Sequence, residues 1–242
     1  MKQGRLIGIG VGPGPAGLIP VAALAALREA DVVYLPRASS SEVSVARQCL
    51  AGLELDESRF REIEFEMNPE RSALSRHYGA LAEQLAAELK TGLNVAYLTI
   101  GDSMTYSTYG YLLAALREML PELQTQTFPG VTSFAATASA LSWPLGEGKE
   151  RILILPCPDD MEALRADIES HDLIVLMKIG KRLPEVLALL NQMGIAQLCA
   201  FARRIGLPGE VLCADVSQLS TDASGYLATM LIRKTARERR HS

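Results

Sequence analysis

The sequence predicts an α/β protein in which strands and helices alternate through two successive units. Three observations carry this. Short apolar, β-prone runs, such as residues 6–11 and 95–100, alternate with stretches whose apolar residues recur every three or four positions. The run at 95–100 stops at Gly101-Asp102, and a hydroxyl-rich turn then leads into the helical spacing of Tyr109, Leu112, Leu116 and Met119. Pro121 marks a seam after which a second alternation starts, which places the units at 1–121 and 122–242.

The strand at 6–11 is interleaved with glycine and runs into Gly12-Pro13-Gly14-Pro15-Ala16-Gly17. A helix follows with Leu18, Val21, Leu24 and Leu27 on one side. Residues 32–35 read as a strand closed by Pro36, and the serine-rich 37–44 as a loop before a short helix through Cys49. Residues 60–65 alternate apolar and charged side chains, the mark of a half-exposed strand, and Met67-Asn68-Pro69 is a loop. Leu74, Tyr78, Leu81, Leu85 and Leu89 mark the clearest amphipathic helix, ended by Thr91-Gly92. This order predicts a largely parallel sheet covered on both faces. Beyond the seam, strands are expected at 124–128, 152–155, 173–177 and 197–201, with helices at 161–169 and 183–193. Pro129-Gly130-Val131-Thr132-Ser133 turns into a helix of small residues (Ala135, Ala136, Ala138, Ala140). Residues 209–214 and 226–232 read as closing strands that can pair antiparallel.

With 48% hydrophobic and 21% charged residues, the chain has ample material for a core. A net charge of -4 offers no global attraction to nucleic acid or an anionic membrane. Residues 1–5 lead straight into a strand, so no signal peptide is expected. No apolar run approaches the roughly 20 residues of a membrane span. Cys49, Cys157, Cys199 and Cys213 contain no C-x-x-C pair, and the histidines are scattered, so no protein metal site is expected. Dispersed core cysteines fit a reducing cytoplasm. The basic stretch 233–240 reads as a solvated tail.

Gly12 to Gly17 satisfies G-x-G-x-x-G, a pattern that lets a pyrophosphate reach a helix N-terminus. Pro13 and Pro15 remove two N–H donors from that loop, and the second strand ends in Leu35-Pro36-Arg37 rather than in an acid. A stiff turn that shapes a cleft is the better account, while Arg37 as a partner of an NADP 2′-phosphate keeps an oxidoreductase open. Gly101-Asp102 leaves backbone open to a ligand at the strand end where open α/β sheets bind them. The Asp102 carboxylate needs a partner there. Ser103, Thr105, Ser107, Thr108, Thr132 and Ser133 read either as caps or as ligand contacts. Met177-Lys178 reads as a core methionine beside an exposed lysine, and Trp143-Pro144 as packing at a helix end.

Gly8-x-Gly10-x-Gly12-Pro13-Gly14, Ala30-Asp31-Val32-Val33-Tyr34, Gly101-Asp102 and Pro129-Gly130-Val131-Thr132-Ser133 together resemble the tetrapyrrole methylases, in that family's order and spacing over nearly the whole chain. Within the family, Gly101 to Tyr111, Phe128 to Ala136 followed by Leu141-Ser142-Trp143-Pro144-Leu145, and Phe65-Glu66-Met67 resemble the branch that methylates C-20 of precorrin-2 or of cobalt-factor II. The resemblance implies two αβα domains with five-stranded mixed sheets, S-adenosylmethionine in the cleft between them, and a homodimer. By position, Pro13 lies at the cleft, and Ile100, Gly101, Asp102, Thr105, Thr132 and Ser133 contact the cofactor. Met177 lies against the adenine, and a residue near Arg204 completes the pocket. The chain departs from the family at Ser103, where a proline is usual, at Pro15, where an acid is usual, and at Leu18-Ile19-Pro20, where Leu-Leu-Thr is usual.

A polycarboxylate ring calls for arginines, and Arg37, Arg47, Arg71 and Arg76 lie where they could line its trough. Such a transfer asks the protein to align carbon and methyl, exclude water and help a proton leave, with alignment worth roughly 7–11 kcal/mol. No covalent nucleophile is needed, in keeping with the lack of a Cys-His or Ser-His cluster. Asp102 and Tyr106 are the candidates for the proton, Asp102 fitting a cofactor contact better. The fold also hosts ribosomal-RNA ribose methyltransferases and diphthine synthases, and the net charge gives no hint of the basic face expected of the former. Methylation at another ring position, and a binding module without turnover, also stay open.

Overall fold

The computed structural model describes residues 2–39, 42–65, 71–220 and 222–236, with the side chains of all of these but 65 and 71–77. The chain folds as two compact units, Met1–Thr132 and Ser133–Ser242.

The first unit runs β1 (Leu6–Gly10), α1 (Val21–Glu29), β2 (Val32–Ala38), α2 (Val45–Gln48), β3 (Phe60–Phe65), α3 (Arg71–Lys90), β4 (Val95–Thr99), α4 (Tyr109–Met119) and β5 (Thr125–Phe128). Its five strands are all parallel, in the order β3-β2-β4-β1-β5. Leu6, Tyr34, Val95 and Tyr97 share one core cluster with Leu85 of α3 and with Leu112 and Leu116 of α4. The intervening Ile7, Ile9, Val33 and Leu35 face the other way and are as fully buried, as are Ala23, Ala26 and Leu27 of α1. Every residue of β1 and β4 is therefore buried, as expected of parallel strands covered twice.

Three expectations are corrected. The strand near 124–128 does not open the second unit: β5 pairs with β1, Leu6 opposite Thr125 through Ile9 opposite Phe128. Pro121 only ends a helix-to-strand turn whose flanking Leu120 and Leu123 sit in the first core, so the boundary moves from 121 to Thr132. Second, β2 continues through Pro36 and Arg37, because its ladder with β4 stops at Tyr34 and the missing proline N–H interrupts nothing on that side. Third, a 3-10 turn at Ala16–Leu18 and then Pro20 precede α1, whose Val21 is exposed. The helix lies on the sheet through its small Ala23 and Ala26 with Leu27, not through the Leu18–Val21–Leu24 stripe. The expected loop at 67–69 and the segment Glu66-Met67 lie outside the described residues.

The second unit runs α5 (Ser133–Ala140), β6 (Ile152–Pro156), α6 (Met161–Ser170), β7 (Leu173–Met177), α7 (Leu183–Gln192), β8 (Ala200–Arg203), β9 (Val211–Cys213) and β10 (Ala228–Arg233). Its order is β6-β7-β10-β8-β9, with β6 and β7 parallel and the other pairs antiparallel. Two five-stranded sheets match the expected fold, except that the first is all parallel and only the second is mixed. Leu164 and Ile168 of α6 and Val186 and Leu190 of α7 pack with Ile174, Leu176 and Met230. Phe134 and Ala138 of α5, with Trp143, pack against Leu173, Val175 and Leu231 on the opposite face.

Arg233 is buried, not the start of a solvated tail. Its guanidinium pairs with both Glu150 oxygens at 2.8 and 3.1 Å, donates to the Leu145 carbonyl at 2.9 Å, and lies 5.0 Å from the Trp143 ring centre. A buried cation needs such a full set of partners, and Trp143 supplies part of it. Lys234 is half-buried, Thr235 and Ala236 are exposed, and 237–240 lie outside the described residues. All four cysteines are free. Burial pushes the Cys49 and Cys199 thiols up to about 12, which suits packing rather than reactivity. Among the described residues no cluster could hold a metal ion, and no helix is long and apolar enough to cross a membrane.

Candidate functional site

β1 and β4 are neighbours, and the chain leaves their carboxyl ends for opposite faces of the sheet, α1 on one and α4 on the other. A crevice forms at such a switch point. Here Gly12 and Gly101 bridge the two strand ends, with N–H···O distances of 3.0 and 2.8 Å. A Cβ on Gly130 would lie 2.0 Å from the Gly101 oxygen and 2.7 Å from the Gly10 carbonyl carbon. A Cβ on Gly10 would lie 2.6 Å from the Gly130 nitrogen. Three chain segments therefore meet backbone to backbone, which only glycine permits. Gly101 itself is left-handed, and a Cβ there would meet nothing nearer than the Val131 oxygen at 3.9 Å. Its outer side is open to a ligand.

Asp102 ties this corner together. One carboxylate oxygen accepts from the Met104 N–H at 3.0 Å and the Thr105 hydroxyl at 2.8 Å, and the other from the Gly130 N–H at 3.0 Å. Partial burial alone would raise its pKa, but the Thr105 hydroxyl and the Gly130 and Met104 amides outweigh it and hold the group below the usual carboxylate range. Buried Ser103 donates to the Phe128 carbonyl at 2.8 Å and so links the same turn to β5. Ser107 accepts from the Tyr109 N–H, and Thr108 meets the Tyr97 hydroxyl at 3.1 Å. The hydroxyls of this turn thus act as caps and ties within the protein.

Pro13 is buried in the loop beside Gly12. The dinucleotide alternative loses its physical basis here. Gly12's N–H is bonded to Gly101, and no helix starts at Gly17, because the 3-10 turn and Pro20 stand before Val21. The loop presents no helix N-terminus to a pyrophosphate. Arg37 bonds Glu62 at 3.2 Å and Glu64 at 2.8 Å, and Arg47 pairs with Glu57 and lies 4.7 Å from the Phe60 ring centre. Carboxylates of the chain already engage both. The side chains of Arg71 and Arg76 lie outside the described residues.

In the second unit, half-buried Met177 ends β7 and packs into the α5 side of the core, and its carbonyl accepts the Cys157 N–H at 2.7 Å. Ser133 and Thr229 share a hydroxyl contact of 2.7 Å at the start of α5, directly after Thr132. Gly180 and Gly225 form a second glycine bridge, with a Cβ on Gly225 falling 2.1 Å from the Gly180 oxygen. Lys178, Arg204 and Leu227 are left-handed at φ 53°, 50° and 53°, and the Arg204 N–H donates to the Leu227 carbonyl at 2.9 Å. Non-glycine residues hold this conformation where surrounding contacts over-determine it, often at functional sites. Nothing in the sequence marks Lys178 or Leu227 for it, since neither is a glycine or asparagine.

The family model for tetrapyrrole (corrin/porphyrin) methylases matches residues 5–219. The chain belongs to this family. The methylase is 29% identical over 233 residues to the cobalt-precorrin-2 C(20)-methyltransferase of Salmonella typhimurium (strain LT2), covering 96% of this chain and 97% of that protein. It is 28% identical over 236 residues to a precorrin-2 C(20)-methyltransferase of Sinorhizobium sp, covering 95% of each. Among solved structures, the cobalt precorrin-4 methyltransferase CbiF aligns with a TM-score of 0.68 at 20% identity, over 95% of the methylase and 94% of that chain.

Proposed function

We propose that this methylase transfers a methyl group from S-adenosylmethionine to C-20 of precorrin-2 or of cobalt-factor II, its counterpart carrying cobalt, on the way to cobalamin. The end-to-end likeness to relatives named for that position, one with cobalt and one without, carries the reading. When bound, S-adenosylmethionine would supply an electrophilic methyl on its sulfonium, with S-adenosylhomocysteine as the leaving group. The residues fit that group: Gly101 leaves space where a side chain would stand, beside a carboxylate held ionised at neutral pH.

Within this reading, Pro13, Ile100, Gly101, Asp102 and Thr105 of the first unit contact the cofactor, together with Thr132, Ser133, Met177 and Arg204. Asp102 positions the turn and faces positive charge. Its depressed pKa makes it a poor proton acceptor, and Tyr106 stands in the same turn as the other candidate. Of Arg37, Arg47, Arg71 and Arg76, at most two serve substrate carboxylates, and Arg37 or Arg47 would do so by exchanging a glutamate partner for them. The active protein is a homodimer.

Mass spectrometry after incubation with S-adenosylmethionine and either precorrin-2 or cobalt-factor II tests the reaction. A gain of one methyl group on one of them is expected, and no gain on either overturns the assignment. Calorimetry with S-adenosylhomocysteine and with NADPH tests the site. Binding of NADPH alone would sink it.

A further inference from the structure

The turn after β4 and the first turn of α4 carry three large exposed side chains that are not among the proposed cofactor contacts. Met104 is 61% exposed, Tyr106 45% and Tyr111 55%. Tyr111, in the first turn of α4, stacks on Tyr78 of α3, with ring centres 5.5 Å apart and planes at 20°. Tyr78 is only 2% exposed, so it is a fixed base that holds the Tyr111 ring flat at the surface. Tyr106 is left-handed at φ 51°, a costly conformation for an aromatic residue and one that keeps its ring outward. All three stand at the carboxyl end of β4, where Gly101 is open, and Arg37 ends neighbouring β2 at the same edge of the sheet. An aromatic surface with a cation at the same end of the sheet matches a flat ring with a charged rim.

We infer that Met104, Tyr106 and Tyr111 form a platform on which the face of the tetrapyrrole substrate stacks, with Tyr78 as its support. This rests on the function proposed above. Stacking on this platform sets the plane of the macrocycle, and so the approach of its bridging carbon.

Titration with cobalt-factor II, read by its visible absorption and by tyrosine fluorescence, tests the platform. Tyr111→Ala and Tyr106→Ala should each raise Kd roughly three- to tenfold, the scale of an aromatic pair, while Tyr111→Phe should stay within about twofold of the parent. Unchanged S-adenosylhomocysteine affinity in each variant would show that the fold is intact. Equal binding of cobalt-factor II by parent and alanine variants overturns the platform alone. A change in sedimentation coefficient in the alanine variants, without loss of ring affinity, would assign the patch to contact with a second copy of the chain and overturn it too. A parent protein that binds S-adenosylhomocysteine but no tetrapyrrole removes the substrate reading, and the platform falls with it.

Discussion

The two units close the ends of their sheets in different ways. Each has one glycine–glycine bridge, Gly12 to Gly101 in the first and Gly180 to Gly225 in the second. Around its bridge the all-parallel unit uses polar side-chain ties: Asp102 to Gly130, and Ser103 to Phe128. The mixed unit has one such tie, Ser133 to Thr229, and adds left-handed backbone at Lys178, Arg204 and Leu227. Parallel strands all leave the sheet in one direction, so their loops crowd at one end and side chains can reach across. Antiparallel β8 and β10 meet head to tail, and the Arg204–Leu227 backbone bond closes the gap directly.

The sharpest way to break this comparison is to add one methyl group to each corner. Gly130→Ala and Gly225→Ala should each cost more than about 3 kcal/mol, because the new carbon meets backbone that cannot step aside. Gly17→Ala, with nothing within 4 Å, should stay within about 0.5 kcal/mol. Urea unfolding measures all three. Trp143, the one tryptophan, reports on the second unit. A Gly130→Ala protein with the parent midpoint would show that the three segments do not touch.

Next in size is Arg233→Met, expected to cost about 3 kcal/mol by leaving Glu150 without its cation. Adding Glu150→Gln should recover part of that loss. No recovery in the double variant would mean that Arg233 acts by packing alone.

Asp102→Asn should cost about 1–2 kcal/mol through weakened bonds to Gly130, Met104 and Thr105. The sign of its pH dependence follows from the depressed folded pKa. The carboxylate's contribution is full above the unfolded value of about 3.9 and is lost as pH falls through the folded one. The stability gap between parent and variant should hold steady from about pH 5 to 7 and close below about pH 4. A gap that widens in acid would reverse the assignment. Asp102→Ala should also weaken S-adenosylhomocysteine binding about tenfold, a loss of roughly 1.4 kcal/mol. Unchanged affinity would take Asp102 out of the cofactor site.

The smallest effect concerns thiols. Only half-exposed Cys213 should react quickly with a thiol reagent in the native protein, since Cys49, Cys157 and Cys199 are buried. A second fast thiol would mean that the helices cover the sheets less completely.

Much of this was legible from the chain. Periodicity placed α3, α4 and α7 and nearly every strand, because burial on one face leaves a repeating mark. Gly101-Asp102 and Pro129-Gly130 were recognisable as turns. Their meeting was not, because a contact between residues 102 and 130 leaves no local trace. The same holds for β5: its residues read as a strand, but its partner is set by topology. Arg233 looked like the start of a basic tail, since the glutamate and tryptophan that bury it lie some 80 or 90 residues earlier. Tyr111 entered only as part of the Gly101–Tyr111 resemblance, since its stack on Tyr78 of another helix leaves no local trace.

The place of β5 also governs how the protein can be made. Strand β1 leaves the ribosome early but keeps a bare edge until Thr125–Phe128 has been synthesised. At roughly 5–20 residues per second, that wait lasts many seconds. The waiting edge, Leu-Ile-Gly-Ile-Gly, carries no charge to ward off another nascent chain. A fragment cut after residue 121 would keep that stickiness permanently, whereas one cut after Thr132 would carry its own cover.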